Sequence, residues 1–363
     1  MNRPLAELTT LRLGGPAARF VRAGTEEEIV EAVRAGDAAG EPLLVLAGGS
    51  NVVVADEGFP GTVVLVATRG VARRAADARV EMTVQAGEPW DGFVERCVTE
   101  GLAGVEALSG IPGSVGATPI QNVGAYGQEV GQTVRAVRAL DRGSGRIEEL
   151  PAAACEFGYR TSAFKRRPDR WVVLAVAFSL EPSALGAPIV YPELARALGV
   201  EPGARAPLAE VREAVLALRR RKGMVVDPED LDSVSAGSFF TNPVLSPGAF
   251  AELEERARTR LGAGVKPPRF PQPDGRVKTS AAWLIERSGF ARGHGDPAGI
   301  AISTKHTLAL TNRGVGTAAQ LLALARKVAD GVEHEWGVAL SPEPVLVGHA
   351  WAAAVEEEGL PPA

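Results

Sequence analysis

The chain has 363 residues, of which 45% are hydrophobic and 23% charged, and its formal net charge is −5. That length suggests two or three domains, and the composition supplies real cores and excludes global disorder. The acidic balance argues against a general binder of nucleic acid or anionic membrane.

The first half alternates short strands and helices. Thr25-Glu26-Glu27-Glu28 reads as an N-cap followed by acids in a first helical turn, with Ile29, Val30 and Val33 as the apolar stripe. Glu41 to Leu46 reads as a buried strand, broken by Gly48-Gly49-Ser50-Asn51 and resumed at Val52-Val53-Val54. Thr62 to Val66 is another strand, and Pro89 opens a helix ending near Gly101. From Gly104 to Gly131 the chain is punctuated by Gly and Pro. Val134 to Leu150 reads as two strands around Asp141-Arg142-Gly143-Ser144-Gly145, and Trp171 to Leu180 as a long apolar strand.

Glu181-Pro182-Ser183-Ala184-Leu185-Gly186-Ala187-Pro188 is the best domain boundary. Beyond it the spacing predicts helices at Leu208–Arg221, Pro247–Leu261 and Ser280–Arg287, a strand pair near Gly299–Leu310 carrying His306, and a long helix at Thr317–Glu333. The mixture predicts an α+β fold.

Cys97 and Cys155 cannot build a disulfide framework, and His294, His306, His334 and His349 show no metal spacing, so no metal site is expected. No N-terminal segment reads as a signal peptide. The longest apolar run, Trp171 to Phe178, is far short of the ~20 residues of a membrane helix. These features predict a cytoplasmic protein.

Glycine is the informative excess. Neither G-x-G-x-x-G nor G-x-x-x-x-G-K-[ST] occurs, so a Rossmann unit and a Walker loop are excluded. Gly48-Gly49-Ser50-Asn51 lies between extended segments, where consecutive N–H groups can cradle an anion without a helix. Gly110-Ile111-Pro112-Gly113-Ser114-Val115-Gly116 is a second such loop, and Gln121-Asn122-Val123-Gly124-Ala125-Tyr126-Gly127 follows it. Either loop alone is also what a tight turn looks like. Together they suggest two sides of one pyrophosphate site.

Three further segments, Cys155-Glu156-Phe157-Gly158-Tyr159-Arg160, Ala236-Gly237-Ser238-Phe239-Phe240-Thr241-Asn242-Pro243 and Leu340-Ser341-Pro342-Glu343, follow these loops in order. With them the sequence closely resembles the UDP-N-acetylenolpyruvoylglucosamine reductase family, flavoenzymes of peptidoglycan precursor synthesis, from about Leu11 to Gly348. The resemblance implies a two-subdomain FAD-binding domain of the PCMH type over 1–185, split near 68/69. A substrate-binding α+β domain over 186–350 and a tail over 351–363 complete the expectation. It implies non-covalent FAD held by Gly48, Gly49, Ser50, Asn51, Gly113, Ser114, Gly116, Gln121, Asn122, Gly124, Ala125 and Tyr126. NADPH is the implied co-substrate and a UDP-sugar enolpyruvate the substrate, with no nucleic-acid or membrane partner and a monomeric chain.

The same resemblance assigns Ser238 as proton donor and Arg160 as the partner of the substrate carboxylate. Glu343 is the catalytic glutamate, and Tyr159, Tyr191, Lys222 and Asn242 are substrate-binding. A guanidinium suits a carboxylate because its fork is planar and permanently charged. Read on its own residues, Tyr191 is equally a core aromatic, and Lys222 equally a solvated helix end after Arg219-Arg220-Arg221. Pro344-Val345-Leu346 lacks an arginine that many relatives carry there, which leaves the counter-charge of Glu343 unassigned. An FAD oxidase of the same fold would commonly need a flavin-linking His or Cys near the first domain, and that domain has no histidine. A non-catalytic flavin-binding module would not need Ser238, Arg160 and Glu343 together.

Overall fold

The computed structural model describes residues 3–351, so most of the expected tail lies outside the described residues. The first layer is a parallel sheet in which Phe59–Val66 lies between Ala17–Ala23 and Leu43–Leu46. Helix Glu26–Ala39 covers it. Thr25 and Glu28 form a reciprocal capping box, Ile29, Val30 and Val33 are buried, and Gly40 ends the helix in the left-handed conformation.

The second layer is an antiparallel sheet ordered Arg146–Pro151, Val134–Asp141, Trp171–Pro182, Arg79–Gln85, Val71–Ala76. Trp171–Pro182 is central and buried along most of its length, which is why it reads as a continuous apolar run. Helix Trp90–Thr99 packs Trp90 and Phe93 against Phe178 of that strand, with ring centroids 6.0 and 4.9 Å away. Ala23, Ile29 and Val64 of the first layer share one core with these residues.

Helices Pro192–Leu198 and Leu208–Arg221 form a small layer of their own. Leu194, Val211, Val215 and Leu218 pack with Ala107 and Tyr126 of the glycine-rich stretch. Arg212 anchors the longer helix on Asp91 at 2.6 and 2.9 Å. This layer therefore packs on residues of the first half of the chain.

The C-terminal core gathers strands Ser235–Ser238, Ala309–Asn312 and Ile300–Ile302 with helices Pro247–Leu261, Ala281–Arg287 and Ala318–Trp336. Leu11, Leu13 and Val53 from the first half join it. Two further ties fix it to the first half of the chain. Asp56 accepts the Ala318 and Ala319 N–H groups at 2.8 and 3.0 Å, compensating the open end of the long helix. Val345–Val347 returns to pair in parallel with Val52–Val54. His306 lies in the turn between Ile300–Ile302 and Ala309–Asn312, not on a strand as its alternation with apolar residues suggests. The Ser303 hydroxyl accepts its N–H and that of Lys305 and shapes the turn.

Candidate active site

The two glycine loops touch. A Cβ on Gly48 would fall 2.5 Å from the Gly113 Cα, and one on Gly113 would fall 2.6 Å from the Ser50 Oγ. Only backbone without side chains can approach this closely. The Ser50 hydroxyl donates to the Pro112 carbonyl at 3.0 Å, and Asn51 Nδ2 donates to Gln121 Oε1 at 2.9 Å, which fastens the first loop to the second block. At this seam the Ser114 Oγ is buried with no hydrogen-bond partner. A bare backbone seam with an orphaned hydroxyl suits a ligand rich in acceptor oxygens, so these residues fit the pyrophosphate of FAD.

The second loop is not a nest along its whole length. The Val115 and Gly116 N–H groups are spent on Glu88 and Ala86 carbonyls at 2.8 Å each. Gly116 is there for packing, since a Cβ would lie 2.5 Å from that of Ala86. Asn122 is also spent internally. Its Nδ2 donates to Glu129 (2.7 Å) and the Gly158 carbonyl (3.1 Å), and its Oδ1 accepts from Gly131 (2.9 Å). It braces the segment that presents Tyr159 and Arg160. Gly124 and Ala125 pair with Gln128–Glu129 in a short hairpin whose turn holds Tyr126.

Arg160 and Glu343 come together from 183 residues apart in sequence, Nε to Oε1, at 3.5 Å. Glu343 is pinned on two sides. Its N–H donates to the Phe239 carbonyl at 2.8 Å, and its own carbonyl accepts from Asn51 Nδ2 at 3.3 Å. Ser238, half-buried, ends its strand opposite Ala309 and directly precedes Phe239. One residue of backbone thus links the Ser238 hydroxyl to the hydrogen bond that positions Glu343, and Asn51 links both to the first glycine loop. Burial pushes the Glu343 carboxyl above its ordinary pKa, against the opposing charges of Arg160 and Lys165. Those two cations are its counter-charge. Arg160 holds a left-handed backbone (φ 53°), as do Asn122 and Tyr126. For non-glycine residues this is costly and clusters at functional sites.

A model described as "FAD binding domain" matches residues 17–151, and one described as UDP-N-acetylenolpyruvoylglucosamine reductase, C-terminal domain, matches residues 227–347. The reductase of that name from Thermobifida fusca is 59% identical over 349 residues, covering 96% of this chain and 97% of its own. This chain belongs to the UDP-N-acetylenolpyruvoylglucosamine reductase family. The reductase of Streptomyces coelicolor is 58% identical, with 96% and 90% covered. The crystal structure of the enzyme from Thermus caldophilus superposes with a TM-score of 0.63 at 25% identity, covering 96% of this chain and 98% of that one.

The remaining candidates of this family member form two polar groups beside the centre. In one, Tyr159 is half-buried, with its hydroxyl pKa raised chiefly by desolvation, and lies near Asn242, whose Oδ1 accepts the Ala281 N–H at the start of a helix (3.0 Å). The Lys278 Nζ stands 4.2 Å from the Tyr159 ring centroid. Lys278 is absent from the sequence-based candidates. The available signal was scarcity, since the chain has six lysines and Lys165, Lys222 and Lys278 all fall in this region.

In the other group Tyr191 meets Tyr126 edge-on, centroids 5.6 Å apart. Tyr191 is 44% exposed, so it is not a core aromatic. Lys222 pairs with Glu193 at 2.7 Å, and its Nζ lies 5.8 Å from the Tyr126 centroid, so it is more than a solvated helix end. His306 is pushed down to about 4 by burial, with Lys222 adding to the effect. The thiols of Cys97 and Cys155 are pushed up by burial to about 12 and about 11, which disqualifies them as nucleophiles.

Proposed function

We propose that this chain reduces UDP-N-acetylglucosamine enolpyruvate to UDP-N-acetylmuramate for peptidoglycan precursor synthesis, with FAD as non-covalent cofactor and NADPH as co-substrate. The reading rests on one observation above others. Ser238, Arg160 and Glu343 are tied through Phe239 and Asn51 to the seam between the glycine loops. FAD, when bound, supplies hydride transfer between the nicotinamide and the enolpyruvyl group. Ser114, Ser50, Gly48, Gly49, Gly113 and Gln121 would hold it.

The chain's own residues supply the rest. The substrate carboxylate takes the open edge of the Arg160 guanidinium, whose Nε already faces Glu343. Addition of hydride to the methylene carbon leaves negative charge on the neighbouring carbon and its carboxylate, and Arg160 stabilises that charge. Ser238 gives its hydroxyl proton to the neighbouring carbon. A hydroxyl is a weak acid, but the receiving carbon is strongly basic and the donor is fixed by its strand. Glu343, more easily protonated than an exposed glutamate, shares a proton with the substrate carboxylate. Tyr159 and Asn242 on one side, and Tyr191 and Lys222 on the other, are assigned to the nucleotide diphosphate. In this reading residues 1–185 form the cofactor domain and lend Tyr159 and Arg160 to the substrate, and 186–350 form the substrate domain, in a monomeric cytoplasmic enzyme; among the described residues no helix is long and apolar enough to cross a membrane.

The test is the visible spectrum of the purified protein. A flavin band should bleach with NADPH and return on adding the enolpyruvyl nucleotide without oxygen. Oxygen consumption with an alcohol would instead favour an oxidase, and a bound flavin without turnover a binding module.

A further inference from the structure

Glu106 is a carboxylate that the proposed chemistry leaves unused. It is 1% exposed and opens the single turn Glu106–Leu108. Its Oε2 accepts the Gly104 N–H at 2.6 Å, and its Oε1 accepts both Gln128 Nε2 at 2.8 Å and the Ala187 N–H at 2.6 Å. All three donors are uncharged, so directed N–H groups hold the buried charge. Taking a carboxylate out of water is costly unless its lone pairs are met, and here both oxygens are engaged.

Two of these donors belong to separate arms. Gln128 pairs with Ala125 in the hairpin whose turn holds Tyr126. Its Oε1 accepts the Ala107 N–H at 2.7 Å, which fixes the orientation of its amide. Ala187 belongs to the connection after strand Trp171–Pro182, four residues before Tyr191. Gly186 lets that connection lie on the carboxylate, since a Cβ there would fall 2.8 Å from the Glu106 Oε1. The arms meet again at their tips. A Cβ on Gly127 would fall 2.6 Å from the Val190 Cγ2, and Tyr126 and Tyr191 meet edge-on. Val190 and Tyr191 are largely exposed, so these two side chains are placed by the arms rather than by core packing.

We infer that Glu106 is a positioning residue for the substrate. By joining both arms at their base, it sets where Tyr191 stands over the assigned diphosphate site. This rests on the assignment of Tyr191 above. Glutamine in its place keeps the shape but presents one acceptor oxygen where the carboxylate uses two. Its NH2 group must then face an N–H donor, so at least one arm is released.

The experiment uses the chain's three tyrosines, Tyr126, Tyr159 and Tyr191. Fluorotyrosine labelling gives each a fluorine NMR signal, assigned by single phenylalanine substitutions. In Glu106→Gln the Tyr126 and Tyr191 signals should move and that of Tyr159 should stay. KM for the enolpyruvyl nucleotide should rise about 10-fold, the scale of one hydrogen bond to a charged group, with kcat changed far less. In a Tyr191→Phe background Glu106→Gln should add little further to KM, because its effect runs through that hydroxyl. A merely structural role would leave the two changes additive. Unmoved Tyr126 and Tyr191 signals, a wild-type KM or additive effects would each overturn the inference, as would a loss confined to FAD affinity. Should Glu106→Gln not fold, Gln128→Met, which cuts the hairpin arm alone, must move the Tyr126 signal and raise KM. A failure of either rejects the inference. A wild type without turnover whose signals still shift in Glu106→Gln would sink the functional reading and leave the positioning of the aromatic pair standing.

Discussion

Glu343 faces Arg160 at 3.5 Å from a site that is mostly closed to water, and burial wins over the nearby cations in raising its carboxyl pKa. A folded-state pKa above the unfolded one means that ionised Glu343 lowers stability. Its stabilising contribution is full below the unfolded glutamate value and is lost as pH rises through the folded value. Glu343→Gln should therefore raise Tm at pH 8 relative to wild type, with the difference closing near pH 4. The same variant should lose on the order of 10²–10⁴ in kcat, the usual scale for a positioned acid–base group. A lower Tm at pH 8, or unchanged kcat, would contradict this account.

Gly48 and Gly113 form the seam at which the phosphates are assigned. In Gly48→Ala the new methyl would meet the Gly113 backbone at 2.5 Å, where no flexible side chain can give way. The loops must separate, and the Ser50–Pro112 hydrogen bond should be lost with them. FAD affinity should fall at least ~10-fold, equivalent to about 1.4 kcal/mol, while far-UV circular dichroism stays native. Undiminished affinity in a flavin-fluorescence titration would show that the seam is not part of the site.

The parts of this molecule legible in sequence are those with strong local chemistry. The Thr25 capping box, Pro247 after Ser246, and the apolar spacing of Leu208–Arg221 announce their helices. The glycine loops show themselves because special backbone needs special residues. The hairpin Val71–Ala76 with Arg79–Gln85 was silent, since its outer strand is an exposed edge with Arg73 and Arg74 where apolar alternation would be. Val345–Val347 was equally silent, because three residues pairing with Val52–Val54 leave no periodicity to read. For the site, motif residues were legible, but not that Asn122 braces a neighbouring loop or that Lys278 covers Tyr159. Both depend on long-range contacts that no local pattern encodes.

Arg212 grips Asp91 through both carboxylate oxygens, and Asp91 also caps Gly110. Burial alone would raise the Asp91 pKa, but the Arg212 and Gly110 hydrogen bonds outweigh it and hold the carboxyl below its usual range. Its stabilising effect is present above the unfolded aspartate value and disappears as pH falls through the folded one. Arg212→Met should cost about 1–2 kcal/mol at pH 7, between exposed and buried ion pairs, because Asp91 is more than a third exposed. The loss should shrink as the pH falls below the unfolded aspartate value. Thermal unfolding at pH 7 and below that value checks it, and equal losses at both would refute the linkage.

In the proposed reaction Ser238 acts in the second half only, with the enolpyruvyl group, a reading supported by its strand position and its link through Phe239 to Glu343. Ser238→Ala removes one oxygen from a half-buried strand end, so folding and FAD binding should be unaffected. Stopped-flow absorbance should show NADPH bleaching the flavin at near the wild-type rate. Recovery of the band with UDP-N-acetylglucosamine enolpyruvate should slow by on the order of 10²–10⁴, the range for loss of a positioned proton donor. Ser238→Cys should recover part of this, because a thiol in that place is a donor of greater acidity. Recovery at the wild-type rate in Ser238→Ala would move the proton donor elsewhere, with Glu343 the next group to test. A slowed first half with an intact second half would place Ser238 at the nicotinamide instead.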